Sequence, residues 1–440
     1  MPGIATHPVS RTNKRGNRRH RDRITKSGRR NFNGKQRRSF FPQEYVTSAL
    51  VTAAVIVFGF VLELLFGNGG LAVPSWPNNL YLLIGFAGFL GVVTSLWRTA
   101  PLIVWLSGIP SAICFIAGLG LLAVVAGSLP QDAETQSVLL QQLGLDHVVR
   151  GWPFALTAIL LLSNLGIVTI RKLFPFRTHN IRFLLNHAGL WIIVAAATLG
   201  AGDLQRVVIV ADEGQTVDYG YVAENQTVAL PFTLSLKDFR LEEYPRRLAL
   251  LDVQTGALVA EDAFLPAETG DAQNLYGWQI SVERFLPAAM PDADGATWLP
   301  SQAEGAVAAA QVHAVFSGTG ATRDGWVTSG SYRVKTKGLR LGYVGLVMTP
   351  PKPRKFQSDV VLNTRSEKRT AVIEVNKPVA VAGWKLYQTS YDEKRGKWSH
   401  QSIIEAVRDP WLPVVYAGIF LLLAGTACIL WTGVTTKGEK

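Results

Sequence analysis

The sequence predicts a membrane protein with about six transmembrane α-helices and a large extracytoplasmic antiparallel all-β domain inserted before the last helix. Three observations lead to this fold class. Only 17% of the 440 residues are charged, which is below the roughly 25% of a soluble globular domain. Six apolar runs approach the roughly 20 residues that cross a bilayer as a helix. The long polar stretch between the fifth and sixth runs shows the alternating patterns of β-strands.

The six apolar runs differ in how clearly they are bounded. They cover residues 46–66, 80–96, 102–127, 153–170, 183–200 and 412–431. Arg98 leaves only a short gap between the second and third runs. Pro110 interrupts the third run, because proline lacks a backbone donor and clashes with the preceding helical turn. The third run is therefore predicted as a kinked helix, or as a short re-entrant piece followed by the true span.

Most of the positive charge lies in one segment. The net charge is +12, and residues 1–42 carry thirteen basic side chains and one acidic one. The rest of the chain is therefore electrically balanced. We predict that residues 1–42 form a basic, disordered cytoplasmic tail that contacts anionic membrane lipids and sets the topology. Because aromatic residues are sparse in this tail and no recognition module is visible, no nucleic acid partner is predicted.

Basic residues in the short connections predict the orientation of the helices. Arg98 and the four basic residues of segment 171–182 lie on the side of the basic tail, whereas the opposite connections hold few basic residues. Both termini are therefore predicted to be cytoplasmic. The predicted organisation is two additional transmembrane helices in 43–100, three more in 101–202, an extracytoplasmic β domain in 203–409, a last helix in 410–433 and a cytoplasmic tail in 434–440.

The β domain is predicted from strand-like patterns separated by turn residues. Alternating or β-branched stretches cover residues 206–210, 227–236, 247–253, 278–285, 371–375 and 383–388, and glycine-containing turns separate them. The Ala-, Pro- and Asp-rich stretch from Pro287 to Gly305 is predicted to be an insertion loop. We therefore expect an antiparallel β-sandwich or an open barrel.

Catalytic motifs are scarce in this chain. Cys114 and Cys428 both lie in apolar runs, so the sequence has no CxxC redox pair and no CxxCH haem-attachment motif. The motifs HExxH, GxSxG and GxxxxGK[ST] are also missing, which leaves hydrolase and nucleotide-driven functions without support. No catalytic residue is predicted. His313 and His400 are expected to be surface histidines without a second metal ligand at sequence spacing.

Two ionisable side chains in the apolar runs stand out, because such residues are costly in a bilayer. Glu63 is near the outer end of the first run and is expected to reach the lipid headgroups. His187 lies about one and a half helical turns into the fifth run. Gly189 beside it leaves room for a flat ligand, and Trp191 shares its helix face. His187 is predicted either to hydrogen-bond across helices, for example with Asn164, or to ligate haem iron.

Six short stretches, in order along the chain, carry a resemblance to a known family. They are Ala-Val-Val-Ala-Gly-Ser-Leu-Pro-Gln at 123–131, Gly-Trp-Pro-Phe at 151–154, Asn-His-Ala-Gly at 186–189, Val-Asn-Lys-Pro at 375–378, Gly-Trp-Lys-Leu-Tyr-Gln-Thr-Ser-Tyr-Asp at 383–392 and Arg-Asp-Pro-Trp at 408–411. Together they resemble the ResB family, the CcsB-like half of the system II cytochrome c synthetase. The resemblance extends over about residues 110–431, and the first two helices have no counterpart in it.

The resemblance implies a function in cytochrome c biogenesis at the bacterial plasma (inner) membrane. The chain would carry haem from the cytoplasmic side and deliver it to apocytochrome c in the periplasm. It would act with a tryptophan-rich, CcsA/ResC-like membrane protein, as a non-catalytic subunit of a haem lyase complex. The implied cofactor is transiently bound haem, and the matching residue is His187 as an axial ligand of the haem iron.

Two further expectations accompany this resemblance. Tyr387, Gln388 and Tyr391 match the family's final motif, and we expect them to pack the β domain onto the last helix near Asp409 and Pro410. Apocytochrome c is expected to bind the β domain by adding a strand at an exposed sheet edge. The alternative function is a membrane-anchored scaffold or sensor whose β domain binds a protein and which holds no haem.

Overall fold

The computed structural model describes residues 42–66, 69–131, 138–223, 226–260 and 262–432. Within these residues the helices are α1 (Gln43–Phe66), α2 (Asn78–Leu96), α3 (Pro101–Leu106), α4 (Ile109–Ser128), α5 (Val138–Gln142), α6 (Trp152–Leu173), α7 (Ile181–Leu199) and α8 (Leu412–Thr432). Short 3₁₀ turns cover Val148–Arg150, Thr178–Asn180, Gly200–Asp203 and Gly396–Trp398. The predicted tails at 1–42 and 434–440 lie outside the described residues, except for Pro42.

The strands all fall between α7 and α8. They are β1 (Gln205–Asp212), β2 (Thr216–Ala223), β3 (Gln226–Glu243), β4 (Arg247–Asp252), β5 (Phe264–Pro266), β6 (Ala272–Leu275), β7 (Trp278–Pro291), β8 (Trp298–Pro300), β9 (Val307–Phe316), β10 (Thr322–Thr328), β11 (Leu339–Leu341), β12 (Val344–Met348), β13 (Pro353–Asn363), β14 (Lys368–Glu374), β15 (Val379–Val381), β16 (Trp384–Tyr391) and β17 (Gln401–Arg408). An all-β domain inserted before the last helix is thereby confirmed.

Six helices of the described chain are long and apolar enough to cross a membrane: α1, α2, α4, α6, α7 with its flanking turns, and α8. The predicted number of spans is therefore confirmed. The third run is split into the short helix α3 and the span α4, and Pro110 lies in the first turn of α4. Proline is tolerated there because the first backbone N–H groups of a helix have no partner inside the helix.

Helices α7 and α8, which flank the β domain, pack closely through glycines. A Cβ built on Gly189 would lie 2.6 Å from the backbone nitrogen of Leu422 and 2.7 Å from the carbonyl oxygen of Gly418. A Cβ on Gly425 would lie 2.7 Å from the backbone nitrogen of Asn186. Small residues allow helix backbones to approach each other in a bilayer, where van der Waals packing stabilises their association. The expected room for a flat ligand beside Gly189 is therefore filled by α8.

Replacing Gly189 by alanine is expected to destabilise the α7–α8 pair by about 1–3 kcal/mol, because the added methyl group overlaps backbone atoms. Gly120→Ala in α4 is the matched control, since nothing lies within 4 Å of its added Cβ. Thermal unfolding of the full chain in detergent, followed by tryptophan fluorescence, measures the difference. Equal unfolding midpoints for the two variants would contradict this account of the helix contact.

The strands form three antiparallel sheets. The largest has the order β14-β13-β3-β2-β1-β17-β16-β15, and two smaller sheets have the orders β10-β9-β7-β6 and β11-β12-β4-β5. Strand β8 also pairs with β7. The first and last strands of the domain are neighbours and pair along their whole length, from Gln205 opposite Arg408 to Asp212 opposite Gln401. The domain therefore begins and ends at the same end of the helix bundle.

The large sheet curls until its two ends meet, as expected for an open barrel. Ser358 of β13 donates its hydroxyl hydrogen to Gln388 of β16 over 2.7 Å, and it also contacts Ser402 of β17 at 2.7 Å. All three side chains are buried. A hydrophobic core lines the inside of the curl, with Leu234 and Ile404 fully buried. The polar network satisfies its own donors and acceptors, as a buried network must.

Two expectations for the β domain are wrong in detail. The stretch from Pro287 to Gly305 is not a plain insertion loop, because its first part continues β7 and its middle forms β8. Gln388 and Tyr391 form contacts within the β domain and not the expected ones with the last helix, whereas the packing of Tyr387 stays a prediction. Gln388 points into the curled sheet, and the ring of Tyr391 packs against Phe239 at 5.3 Å between centroids.

Candidate functional site

His187 lies in the second turn of α7, roughly 9 Å along the axis from the helix start. Its ring stacks on the ring of Phe183, with 3.7 Å between centroids and 17° between planes. Lys172, near the end of α6, has its Nζ 5.8 Å from the centroid of the Phe183 ring. The imidazole therefore lies at the end of the bundle that is remote from the sheets, close to basic side chains.

The hydrogen bond of His187 fixes the role of each ring nitrogen. Nδ1 lies 3.1 Å from the carbonyl oxygen of Phe183, to which only an N–H can donate. Nε2 forms no hydrogen bond with any residue that the structure describes. In the neutral ring it therefore presents its lone pair. Metal-bound histidines commonly donate their other N–H to a carbonyl in this way, so His187 has the bonding pattern of an axial ligand.

The side chains that the sequence places near His187 form hydrogen bonds with other residues. The side-chain amide of Asn164 donates to the carbonyl oxygens of Leu106 and Gly108, so it closes the break between α3 and α4. The indole N–H of Trp191 donates to the carbonyl oxygen of Leu162 over 3.1 Å. No described residue bonds His187 across helices, and His187 is half-buried.

Glu63 is the centre of a buried polar cluster at the other end of the bundle. It is only 1% exposed, so the expectation that it reaches the lipid headgroups is wrong. One carboxylate oxygen lies 2.8 Å from Nε2 of His147, and the other accepts the backbone N–H of Trp152 at 2.9 Å. Trp152 begins α6, whose first N–H groups need acceptors. Glu63 of α1 therefore accepts a hydrogen bond from an N–H group that has no partner within α6.

The cluster around Glu63 depends on close backbone packing. Gly144 has φ +66°, and a Cβ there would lie 2.6 Å from Cγ of Glu63. Asp146 adds a second carboxylate, 2.6 Å from Nδ1 of His147. The imidazole of His147 thus lies between two acidic side chains. Glu63 stands out in the sequence as a charge in an apolar run, but its partner lies 84 residues away in a connection, where sequence spacing gives no signal.

The β domain joins the helices through Asp203. Its carboxylate accepts hydrogen bonds from the backbone N–H of Trp76, the amide of Asn79 and the indole N–H of Trp411, each at 2.7 Å. Beside this junction lies a groove of about 740 Å³. Its walls come from α2, the start of α8 and the adjoining ends of β1 and β17: Trp76, Leu80, Leu83, Asp203, Gln205, Arg408, Pro410, Trp411 and Val414. The groove is mainly apolar and has a cation at its rim.

The external histidines lie on the surface of the β domain. Nδ1 of His400 is 2.6 Å from Glu213. Nδ1 of His313 is 2.5 Å from Asp324, whose hydrogen bond raises the pKa of His313. Glu283 completes a group whose ligand-type atoms all lie within 4.8 Å of one another. Sequence spacing missed this group because its members come from three adjacent strands. The group is open to solvent, and it consists of the His313–Asp324 ion pair with the carboxylate of Glu283 nearby.

One comparison with known proteins gives a match. Residues 295–406 match the model of the ResB-like family, so the resemblance to the ResB family found in the sequence is confirmed over this segment. The matched segment is about a quarter of the chain and runs from just before β8 almost to the end of β17. It therefore lies within the β domain and does not include His187. No curated protein matches the chain.

Proposed function

We propose that this chain is a haem-handling subunit of a membrane cytochrome c synthetase. It takes haem from the cytoplasmic side and delivers it to apocytochrome c outside the membrane. Its partner is a tryptophan-rich, CcsA/ResC-like membrane protein. The observation that carries the proposal is the geometry of His187, which lies in a helix apolar enough to cross a membrane and whose Nε2 has no partner among the described residues. The ResB-like match of the β domain supports the assignment to cytochrome c biogenesis.

The residues around His187 fit haem as an axial ligand site. Haem supplies an iron that binds a neutral imidazole nitrogen where water is excluded. Phe183 holds the imidazole by its carbonyl oxygen and covers one ring face. Lys172 places positive charge at the same end of the bundle, which suits the carboxylates of haem. Because α8 fills the space beside Gly189, the remaining walls of the haem site must come from the partner protein.

The proposed orientation places the His187 end of the bundle in the cytoplasm and the sheets in the periplasm. The last turn of α6, its connection to α7 and the first turn of α7 lie at the end remote from the sheets, and together they hold Arg171, Lys172, Arg177 and Arg182. Basic connections favour the cytoplasmic side. The groove between α2 and α8 would then open at the periplasmic face, with apolar walls on the outward path of haem. Apocytochrome c would pair with an exposed edge of one of the smaller sheets.

Deletion of the gene tests this function. We expect c-type cytochromes to lose covalently bound haem, measured by peroxidase staining of haem after denaturing electrophoresis, while proteins with non-covalent haem keep theirs. Expression of the intact chain should restore the staining. Fully matured c-type cytochromes in the deletion strain would contradict the proposal and favour a membrane-anchored scaffold or sensor that binds a protein and no haem.

A further inference from the structure

A cavity beside the turn between β3 and β4 has only basic side chains among its charged lining residues. It measures about 290 Å³, close to the lower limit of ligand pockets, roughly 300 Å³. We call it the corner cavity. Its lining residues are Tyr244, Pro245, Arg246, Arg247, Phe264, Thr349, Pro350 and Lys352. Among the described residues, no acidic side chain lines it, and neither Arg247 nor Lys352 forms an ion pair. The charges of Arg247 and Lys352 are therefore unpaired among these residues.

Backbone hydrogen bonds build the walls of the corner cavity. The N–H of Tyr244 donates to the carbonyl oxygen of Lys352 over 3.0 Å, and the N–H of Thr349 donates to that of Arg247 over 2.8 Å. The N–H of Ala267 donates to the carbonyl oxygen of Arg246 over 3.1 Å. The turn is thus tied to two neighbouring segments. The three basic residues are placed by the fold and not by flexible loops, which limits the entropy lost when a ligand binds.

Arg246 lacks part of its hydrogen bonding. Its side chain is only 9% exposed, and Nη2 pairs with the carboxylate of Glu243. Nη1 is buried and has no hydrogen-bond partner among the described residues. A buried N–H without an acceptor costs free energy, more so when the group is charged. Burial accordingly lowers the pKa of Arg246, against the opposing effect of Glu243.

A second, partly buried cation lies close to Arg246. Lys397 and Arg246 both line a smaller pocket of about 80 Å³ next to the corner cavity. Burial lowers the pKa of Lys397; Glu243 opposes this effect, and Arg246 adds to it. Glu243 thus pairs with Arg246 and acts on Lys397 from a distance, while Nζ of Lys397 donates to the carbonyl oxygen of Pro287. An additional anion beside Arg246 would offset part of this positive charge.

We propose that the corner cavity binds a carboxylate attached to an apolar body, with Arg246, Arg247 and Lys352 as the basic groups that recognise it. A guanidinium matches a carboxylate through paired N–H donors. Pro245, Phe264 and Pro350 provide an apolar wall, which a small, fully hydrated anion such as phosphate would not use. A peptide that ends in a free carboxylate after an apolar residue has this chemistry, as does a small aryl-alkyl acid. The proposal does not depend on haem.

Titration calorimetry on the full chain in detergent tests the site. The probes are 3-phenylpropionate and the tripeptide Ala-Ala-Phe, each with its neutral amide as a control, and inorganic phosphate. We expect saturable binding of at least one acid, and no binding of the amides or of phosphate. Arg247→Gln and Lys352→Gln should each weaken binding by about tenfold. Arg365→Gln, an exposed arginine in the β13–β14 turn, should leave the binding unchanged.

Comparison of the two acids distinguishes a polypeptide ligand from a small-molecule ligand. Tighter binding of the tripeptide supports a polypeptide ligand, and binding of 3-phenylpropionate alone supports a small molecule. Equal binding of acid and amide, phosphate binding as tight as that of the acids, or no binding of any probe would overturn the proposal. So would binding that Arg247→Gln and Lys352→Gln leave unchanged. These two variants carry the test because both side chains are at the surface, whereas a substitution at buried Arg246 can also disturb folding.

Discussion

Replacement of His187 by alanine is expected to remove most of the haem from the purified complex of this chain with its partner. Loss of the axial nitrogen should lower the Soret absorbance per mole of complex by roughly tenfold or more, since loss of even a supporting contact costs 10- to 100-fold in metal affinity. Added imidazole should restore part of the absorbance, because the free ring can occupy the space left by the side chain. Absorption spectra of wild type and variant measure both effects.

A second histidine provides the matched control for this experiment. His179 lies eight residues earlier, in the exposed turn before α7, so His179→Ala should keep the full Soret band. Phe183→Leu keeps the carbonyl that orients His187 but removes the stacked ring, and we expect an intermediate loss. A His187→Ala complex with unchanged absorbance would exclude His187 as the ligand. Wild-type complex without haem would instead contradict the proposed function itself.

Glu63→Ala is expected to have the largest effect on stability. The substitution removes the carboxylate that contacts Nε2 of buried His147 and that accepts the N–H of Trp152. Leaving these two buried polar groups without a partner costs about 2–6 kcal/mol, at about 1–3 kcal/mol for each. The free energy of unfolding should fall by about this amount, measured by denaturant titration of the full chain in detergent with tryptophan fluorescence.

The same helix supplies a control for Glu63. Glu44, in the first turn of α1, is exposed, so Glu44→Ala should change the free energy of unfolding little. Glu63→Gln can still accept the N–H of Trp152 and should lose less than Glu63→Ala. The double variant Glu63→Ala/His147→Ala should cost less than the sum of the two single variants, because the side chains interact directly. Strict additivity would rule out the pairing.

The transmembrane helices could be predicted from the sequence because the length of an apolar run is set by the bilayer. The strands could be predicted because alternation and turn residues are local signals. The break at Pro110 was also visible, since proline restricts the backbone wherever it occurs. These features depend on residues close together in the chain, which a single sequence displays directly.

Features that depend on distant residues were missed or misjudged. Gly189 suggested space for a ligand, yet only the position of α8 shows that a backbone fills it. Gln388 suggested contact with the last helix, but its partner Ser358 lies 30 residues earlier on a strand that meets it only when the large sheet curls. His187 could be singled out from the sequence as a costly side chain in an apolar run. Its bond to Phe183, and the fact that Nε2 has no partner in the part of the chain that the structure describes, required the structure.

The pairing of β1 with β17 links the large sheet directly to the two helices that flank the β domain. Strand β1 follows α7 almost directly, and α8 follows β17 after Asp409, Pro410 and Trp411. The helices are in contact through their glycines, and the strands through a ladder that covers the full length of both. The four elements are therefore joined twice, once between the two helices and once between the two strands. We therefore expect a shift of α7 to move the centre of the large sheet, and a load on the sheet to act back on the helix that carries His187.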